Sequence, residues 1–138
     1  MDKFIQKLMN AIEEGTQNAV IKTAELFENE SKRQAPVDTG RLRDSIYTVK
    51  KANYLADVIT DSPYAKYVIH GTGSYGKQGA GNKNGWIYNV NDSSSKYYGW
   101  HFTKGQKPNN FPQRAFNSKK GEVHKIVLDE IRKALSKL

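Results

Sequence analysis

Apolar residues in the first quarter of the chain recur at three- and four-residue steps. Ile5, Leu8, Ile12, Ala19, Thr23 and Leu26–Phe27 fall on one stripe, a period that predicts an amphipathic helix over residues 2–34. Glu13, Glu14, Glu25, Glu28 and Glu30 lie mostly off it. Pro36 lacks an N–H and disfavours helix at Ala35, so the helix should stop there. Gly15 costs roughly 1 kcal/mol relative to alanine in a helix interior, so a bend or break is expected near it. Such a helix is long for a chain of 138 residues. Its first half reads either as an arm that projects and packs on a neighbouring subunit or as a core helix with a frayed start.

Beyond Pro36 the period shortens to two. Asp38 and Thr39 can cap the next turn, Gly40 allows a tight change of direction, and Arg41–Arg43 lead into a strand. Ser45–Lys51 and Tyr54–Thr60 are rich in β-branched and aromatic residues, with Ala52-Asn53 as the turn between two strands. Asp61-Ser62-Pro63 ends the second strand and can cap a short helix, on which Tyr64, Tyr67 and Val68 share a face. Residues 71–85 hold six glycines. So permissive a stretch orders only at high entropic cost and is expected to be a functional or disordered loop.

Trp86–Val90 and Tyr98–Phe102 alternate again, joined by a turn over residues 91–96, and predict a hairpin with one strongly aromatic face. That face reads as core covering the helices, with a stacking platform for single-stranded nucleic acid as the alternative. After a polar turn over 103–110, a last helix starts at Phe111-Pro112 with Asn110 as cap. Val123, Ile126, Val127, Ile131, Ala134 and Leu135 form its apolar stripe, and Gly121 is a candidate interruption. Together these elements predict an α+β fold in one domain, residues 1–138. It has a long N-terminal helix, a mostly antiparallel sheet of four or so strands, a short middle helix and a C-terminal helix packed on the sheet.

Composition narrows the function. Hydrophobic residues make up only 37% of the chain, so a thin core with apolar surface awaiting a partner is expected. There is no cysteine, which removes disulfide staples, thiolate metal sites and a cysteine nucleophile. No apolar run approaches the roughly 20 residues that span a bilayer, and the first residues lack a signal-peptide core. A soluble protein in the cell that makes it is therefore expected.

The net charge is +8, of which residues 96–138 carry +7. A basic surface at one end suggests an acidic partner or nearby nucleic acid, or else simply a solvated lysine-rich face.

Catalytic chemistry has little to draw on. His70, His101 and His124 are scattered, with no H-E-x-x-H or other metal-ligand spacing. The carboxylates cluster on the first helix, where neighbours cannot face each other across a cleft. Gly71-Thr72-Gly73-Ser74-Tyr75-Gly76 matches G-x-G-x-x-G, but it follows a helix rather than a strand and no helix opens after it, so its phosphate-binding context is missing. No catalytic residue, metal ligand or cofactor is assigned, and a non-enzymatic protein is expected.

Three ordered segments carry a family resemblance. Ala35-Pro36-Val37-Asp38-Thr39-Gly40-Arg41-Leu42-Arg43-Asp44-Ser45-Ile46 resembles the A-P-x-x-T-G-x-L-x-x-S-I signature of the minor head–tail joining, or tail-completion, proteins of lambdoid-type tailed bacteriophages and their prophages. Pro63-Tyr64-Ala65-Lys66-Tyr67-Val68-Ile69-His70-Gly71-Thr72 is similar to that family's P-Y-A-x-Y-V-E-x-G-T block, with His70 departing near a usually acidic position. Phe102-Thr103-Lys104-Gly105-Gln106-Lys107-Pro108 and Phe111–Phe116 resemble its closing T-x-G-Q-x-x-x-P-F-x-x-P-A block.

The resemblance implies a virion assembly protein of the neck, made in the host bacterial cytoplasm. It would form a homo-oligomeric ring between a portal, adaptor or head-completion protein and the tail terminator or tail tube. The Gly-rich loop and the 103–110 turn would then order against the adjacent ring. Arg41, Arg43, Tyr75, Lys77, Lys83, Lys104, Lys107, Lys119 and Lys120 are the expected interface residues, meeting acidic protein or, without sequence readout, channel DNA. The alternative function is a small basic nucleic-acid-binding module.

Overall fold

The Asp2 carboxylate accepts a hydrogen bond from the Phe4 N–H at 2.9 Å and so starts the longest element, α1 (Lys3–Gln34). α1 ends where Pro36 requires: Ala35 turns to an extended conformation while its N–H still donates to the Ser31 carbonyl at 2.8 Å. The computed structural model describes residues 2–36, 40–76 and 84–138. They divide into two compact units, one of residues 1–62 and 111–138, the other of 63–110.

In the first unit Gly40, at φ +82°, turns the chain into the single turn α2 (Arg41–Asp44), so the basic segment is helical before the strand begins. β1 (Ile46–Ala52) and β2 (Leu55–Thr60) pair antiparallel with Ile46 opposite Thr60, and a bulge lies between Lys50 and Ala52. The hairpin packs on α1. The chain returns as α4 (Phe111–Lys119), a 3₁₀ turn at Lys120–Glu122, and α5 (Val123–Leu135). The 3₁₀ turn falls on Gly121, at the interruption its sequence predicts.

α4 and α5 both pack on α1. This corrects the expectation of a C-terminal helix laid on the sheet. The reason is the small residues on α1: Ala11, Gly15, Ala19 and Ala24 are buried and admit a helix backbone. A Cβ on Gly15 would lie 2.7 Å from the Ile131 Cα. Gly15 therefore does not break α1; it is where α5 crosses. The buried apolar set is correspondingly alanine-rich, with Ile46 and Phe111 its only larger members among the described residues.

Glu30 is buried in this unit. It pairs with Arg33, accepts from Gln34 Nε2 at 2.7 Å, and lies 3.4 Å from the Ser118 hydroxyl of α4. The Arg33 hydrogen bond first, then that of Gln34, holds its carboxyl at about 2, well below the ordinary 4.5. A lowered folded-state value means that the unfolded chain takes up the proton first as pH falls. The contribution is complete above about 4.5 and is lost towards about 2. Glu130, lowered chiefly by the hydrogen bond from Lys22, acts in the same direction. Urea midpoints followed by circular dichroism should therefore drop across this acid window. Glu30→Gln should be less stable at neutral pH and show a flatter acid profile.

The second unit contains α3 (Ala65–His70), a 3₁₀ turn at Gly73–Tyr75, β3 (Trp86–Val90) and β4 (Gly99–Thr103). Tyr64, without a capping hydrogen bond from its side chain, occupies the cap of α3, so neither Asp61 nor Ser62 holds the cap position and Pro63 is not the first helical residue. β3 and β4 pair antiparallel with each other alone, as do β1 and β2. Two two-stranded sheets thus replace the expected sheet of four or so strands. Each hairpin closes through its own short connection, and strand alternation carries no information about pairing beyond it.

Candidate interaction surfaces

The register of the β3–β4 hairpin decides which aromatic rings share a face. Ile87 lies opposite Phe102, and Asn89 opposite Trp100. Side chains alternate across a strand, so these four residues form one face and Trp86, Tyr88 and His101 belong to the other. Ile87, Trp100 and Phe102 are 66%, 73% and 62% exposed. This corrects the reading of the hairpin's aromatic face as core. One further residue of offset in the register would have joined Trp86 and Tyr88 to Trp100 and Phe102; as it is, the aromatics divide between faces. On the second face His101 stacks on Tyr88 with ring centres 5.3 Å apart.

Two lysines of this unit lie over tyrosine rings. Lys96 Nζ sits 4.9 Å from the Tyr97 ring centre, and Lys107 Nζ 5.7 Å from that of Tyr75. The sequence of this unit contains six lysines against one acid, Asp92. The Asp92 carboxyl is lowered by hydrogen bonds from the Ser94 side chain and N–H.

The two segments expected to order against an adjacent ring hold one another within the unit. Thr72 N–H donates to the Gln106 carbonyl at 2.9 Å, Gln106 N–H to Thr72 Oγ1 at 2.8 Å, and Ser74 N–H to the Lys104 carbonyl at 2.7 Å. Gly73 at φ +60° and Gly105 at φ +111° allow this close approach, since a Cβ on either would run into the facing carbonyl. The G-x-G pattern is therefore a packing device. Its Thr72 and Ser74 N–H groups are already used and cannot cradle a phosphate.

Of the residues predicted for an interface, Tyr75, Lys104 and Lys107 come together on the second unit, all exposed. Arg41, Arg43, Lys119 and Lys120 belong to the first. Arg43 pairs with Asp44 at 3.1 Å and Lys119 with Glu122 at 3.2 Å, while Lys120 is exposed. Lys77 and Lys83, within residues 77–83 of the Gly-rich loop, lie outside the described residues. No group of acidic, histidine or cysteine side chains able to hold a metal occurs among the described residues.

The first unit has two apolar surfaces of its own. Lys3–Asn10 contain no buried residue, and Phe4, Ile5, Met9 and Ile12 are exposed. Farther along α1, a groove of about 640 Å³ is lined by Val20 and Phe27 of α1, Leu55 and Val58 of β2, Phe116 of α4 and Val127 of α5. Periodicity shows the apolar stripe but not which part of it stays bare, because that depends on where α5 ends.

The family model described as "Bacteriophage HK97-gp10, putative tail-component" matches residues 1–71. The chain belongs to this family. No curated protein and no solved structure matches it. The HK97-gp10-like match takes in the Ala35–Ile46 segment and nearly all of the Pro63–Thr72 segment, and leaves the Phe102–Phe116 segment outside. It makes the chain a phage structural protein of the tail and head–tail class, which is coarser than a place in the lambdoid neck. No helix among the described residues is long and apolar enough to cross a membrane.

Proposed function

We propose that this HK97-gp10-like protein is a non-enzymatic component of the virion neck. In this reading the chain, acting as one connector module, joins the head or portal–adaptor assembly to the tail or completes the tail end, as a ring formed in the host cytoplasm. The observation that carries the reading is the bare Ile87–Trp100–Phe102 face. Large apolar side chains left in water on a strongly charged protein are what a docking partner covers. The six lysines against one acid in the sequence of this unit suit an acidic rim on the adjoining head-completion or tail-terminator protein.

The test is binding of the purified protein to the portal–adaptor and tail-end proteins encoded beside it. Trp100 is exposed, so Trp100→Ala should leave folding unchanged. As a central aromatic anchor it should weaken binding by about 2 kcal/mol, roughly 30-fold. Undiminished binding by this variant would remove the hairpin from the interface.

A second reading rests on the same exposed rings in a lysine-rich unit, which also suit stacking on single-stranded nucleic acid. It requires a salt-dependent shift of short DNA that falls when Lys96 and Lys104, on either side of β4 in sequence, are reversed in charge. Mass-resolved light scattering at low and moderate salt, with and without DNA, separates the two.

A further inference from the structure

We infer that the free edge of β2 is a docking site for an extended segment of another protein, which enters the apolar groove as a third strand of the β1–β2 sheet. This edge lies on the first unit. The neck reading rests on the β3–β4 hairpin of the second, so the two can fail separately.

β2 pairs with β1 alone. Every second residue of an antiparallel edge strand turns its N–H and C=O away from the ladder. Among the described residues no main-chain hydrogen bond runs from β2 to anything but β1. The groove opens on that free edge. Leu55, Ala56, Asp57, Val58 and Ile59 line it in unbroken succession, and no residue of β1 does. A groove over one face of the strand would take every second residue instead. Around the edge the lining is apolar, with Ala19 and Phe27 from α1, Phe116 from α4 and Val127 from α5.

The two edges of the sheet differ in how they meet water. β1 carries a bulge between Lys50 and Ala52 and the adjacent lysines Lys50 and Lys51, features that keep an exposed edge from pairing. β2 (Leu55–Thr60) has no lysine, proline or bulge. Its charged side chain, Asp57, is taken up by Lys51 at 3.9 Å. An edge without such protection, set beside apolar side chains, is suited to be covered.

The unpaired main-chain groups select the occupant. A helix satisfies its own main chain and would shut the β2 edge away from water unpaired, which is costly. An extended segment pairs with the edge and is itself paired. Its side chains alternate, so apolar residues at every second position meet the groove while the rest face out. This chain offers no such segment among the described residues. Its strands are tied in hairpins, and the stretch after β4 is held by Thr72, Ser74 and Val68. The occupant is therefore an alternating apolar segment of a different protein.

The probe is a synthetic peptide of alternating valine and threonine with lysine at both ends, added to the isotope-labelled full-length protein and followed by amide NMR. Alternate amides of Leu55–Thr60, those facing away from β1, should shift and become protected from exchange. N-methylating the peptide amides keeps every side chain and removes the main-chain donors, so binding should fall about tenfold or more. Leu55→Lys places a charge on the edge at a position already 54% exposed. It should leave circular dichroism unchanged and weaken the peptide to a similar degree. Trp100→Ala should bind the peptide like the parent. Undiminished binding of the N-methylated peptide would mean that the groove takes side chains without strand pairing, and would overturn the inference. So would shifts on β3 or β4 in place of β2, or no binding at all. Protection of the same β2 amides that rises with protein concentration, without peptide, would make a second copy the occupant and overturn the assignment to another protein. A protein that binds its portal–adaptor or tail-end neighbour but shows no β2 shift with the peptide loses the docking edge and keeps the neck reading.

Discussion

Gly15→Ala is expected to destabilise the protein, although the same substitution in an exposed helix is stabilising. Alanine gains about 1 kcal/mol of helix propensity over glycine. Against this, its Cβ would sit 2.7 Å from the Ile131 Cα and 3.0 Å from the Glu130 carbonyl oxygen. Both neighbours are backbone, so relief requires α5 to shift as a whole. Overpacking of this kind costs about 1–3 kcal/mol, occasionally more. The balance is a loss of up to about 2 kcal/mol for alanine and a larger one for Gly15→Val, whose extra methyls meet the same wall. The shift would also disturb the two ion pairs nearest the crossing, Lys22 with Glu130 and Lys137 with Glu14. Gly121 is the internal control, since nothing lies within 4 Å of a Cβ built there. Gly121→Ala should be neutral or stabilising by up to about 1 kcal/mol. Urea unfolding of the two alanine variants should move the midpoint in opposite directions, or leave it unmoved for Gly121. A Gly15→Ala protein more stable than the parent would mean that α5 does not cross there.

Gly15 also shows where sequence reading reaches its limit. Whatever propensity and chain breakers decide locally is legible: the end of α1 before Pro36, the two hairpins, the turn at Gly40 and the interruption at Gly121. Whatever depends on a distant partner is not. The meaning of Gly15 is set by Ile131, more than a hundred residues away, and a helix breaker reads the same as a helix-crossing site until α5 is placed. The hairpin aromatics fail for a related reason. Trp86, Tyr88, Trp100 and Phe102 alternate as a strand pair should, but the pairing of Ile87 with Phe102 sends them to different faces.

The candidate surfaces divide along the same line. A basic, lysine-rich chain with a thin core is readable from composition, and so is the apolar stripe of the first helix. The groove is not, because β2, α4 and α5 meet α1 from three separate stretches of sequence. Low hydrophobic content nevertheless anticipated the physical outcome. The buried apolar set of the first unit is mostly alanine, and larger apolar residues, among them Phe4, Met9, Leu55 and Phe116, are exposed.

That thin core concentrates stability in one residue, so Phe111→Ala is expected to have the largest effect of any single truncation. Phe111 opens α4, is 2% exposed, and is the largest fully buried side chain among the described residues. Removing a buried phenylalanine costs about 3–5 kcal/mol, the lost transfer energy plus the cavity left behind. Domains of this size hold about 5–15 kcal/mol in all, so the loss is a large part of the total. The urea midpoint should fall steeply with the slope unchanged. Phe111→Leu, which keeps most of the volume, should lose only about 1.5 kcal/mol or less. Phe116, one turn on and packed against Phe27 at 5.3 Å, is 46% exposed and lines the groove. Phe116→Ala should therefore cost far less stability than Phe111→Ala while weakening whatever the groove receives. Equal losses from both truncations would mean that the groove is core rather than a surface.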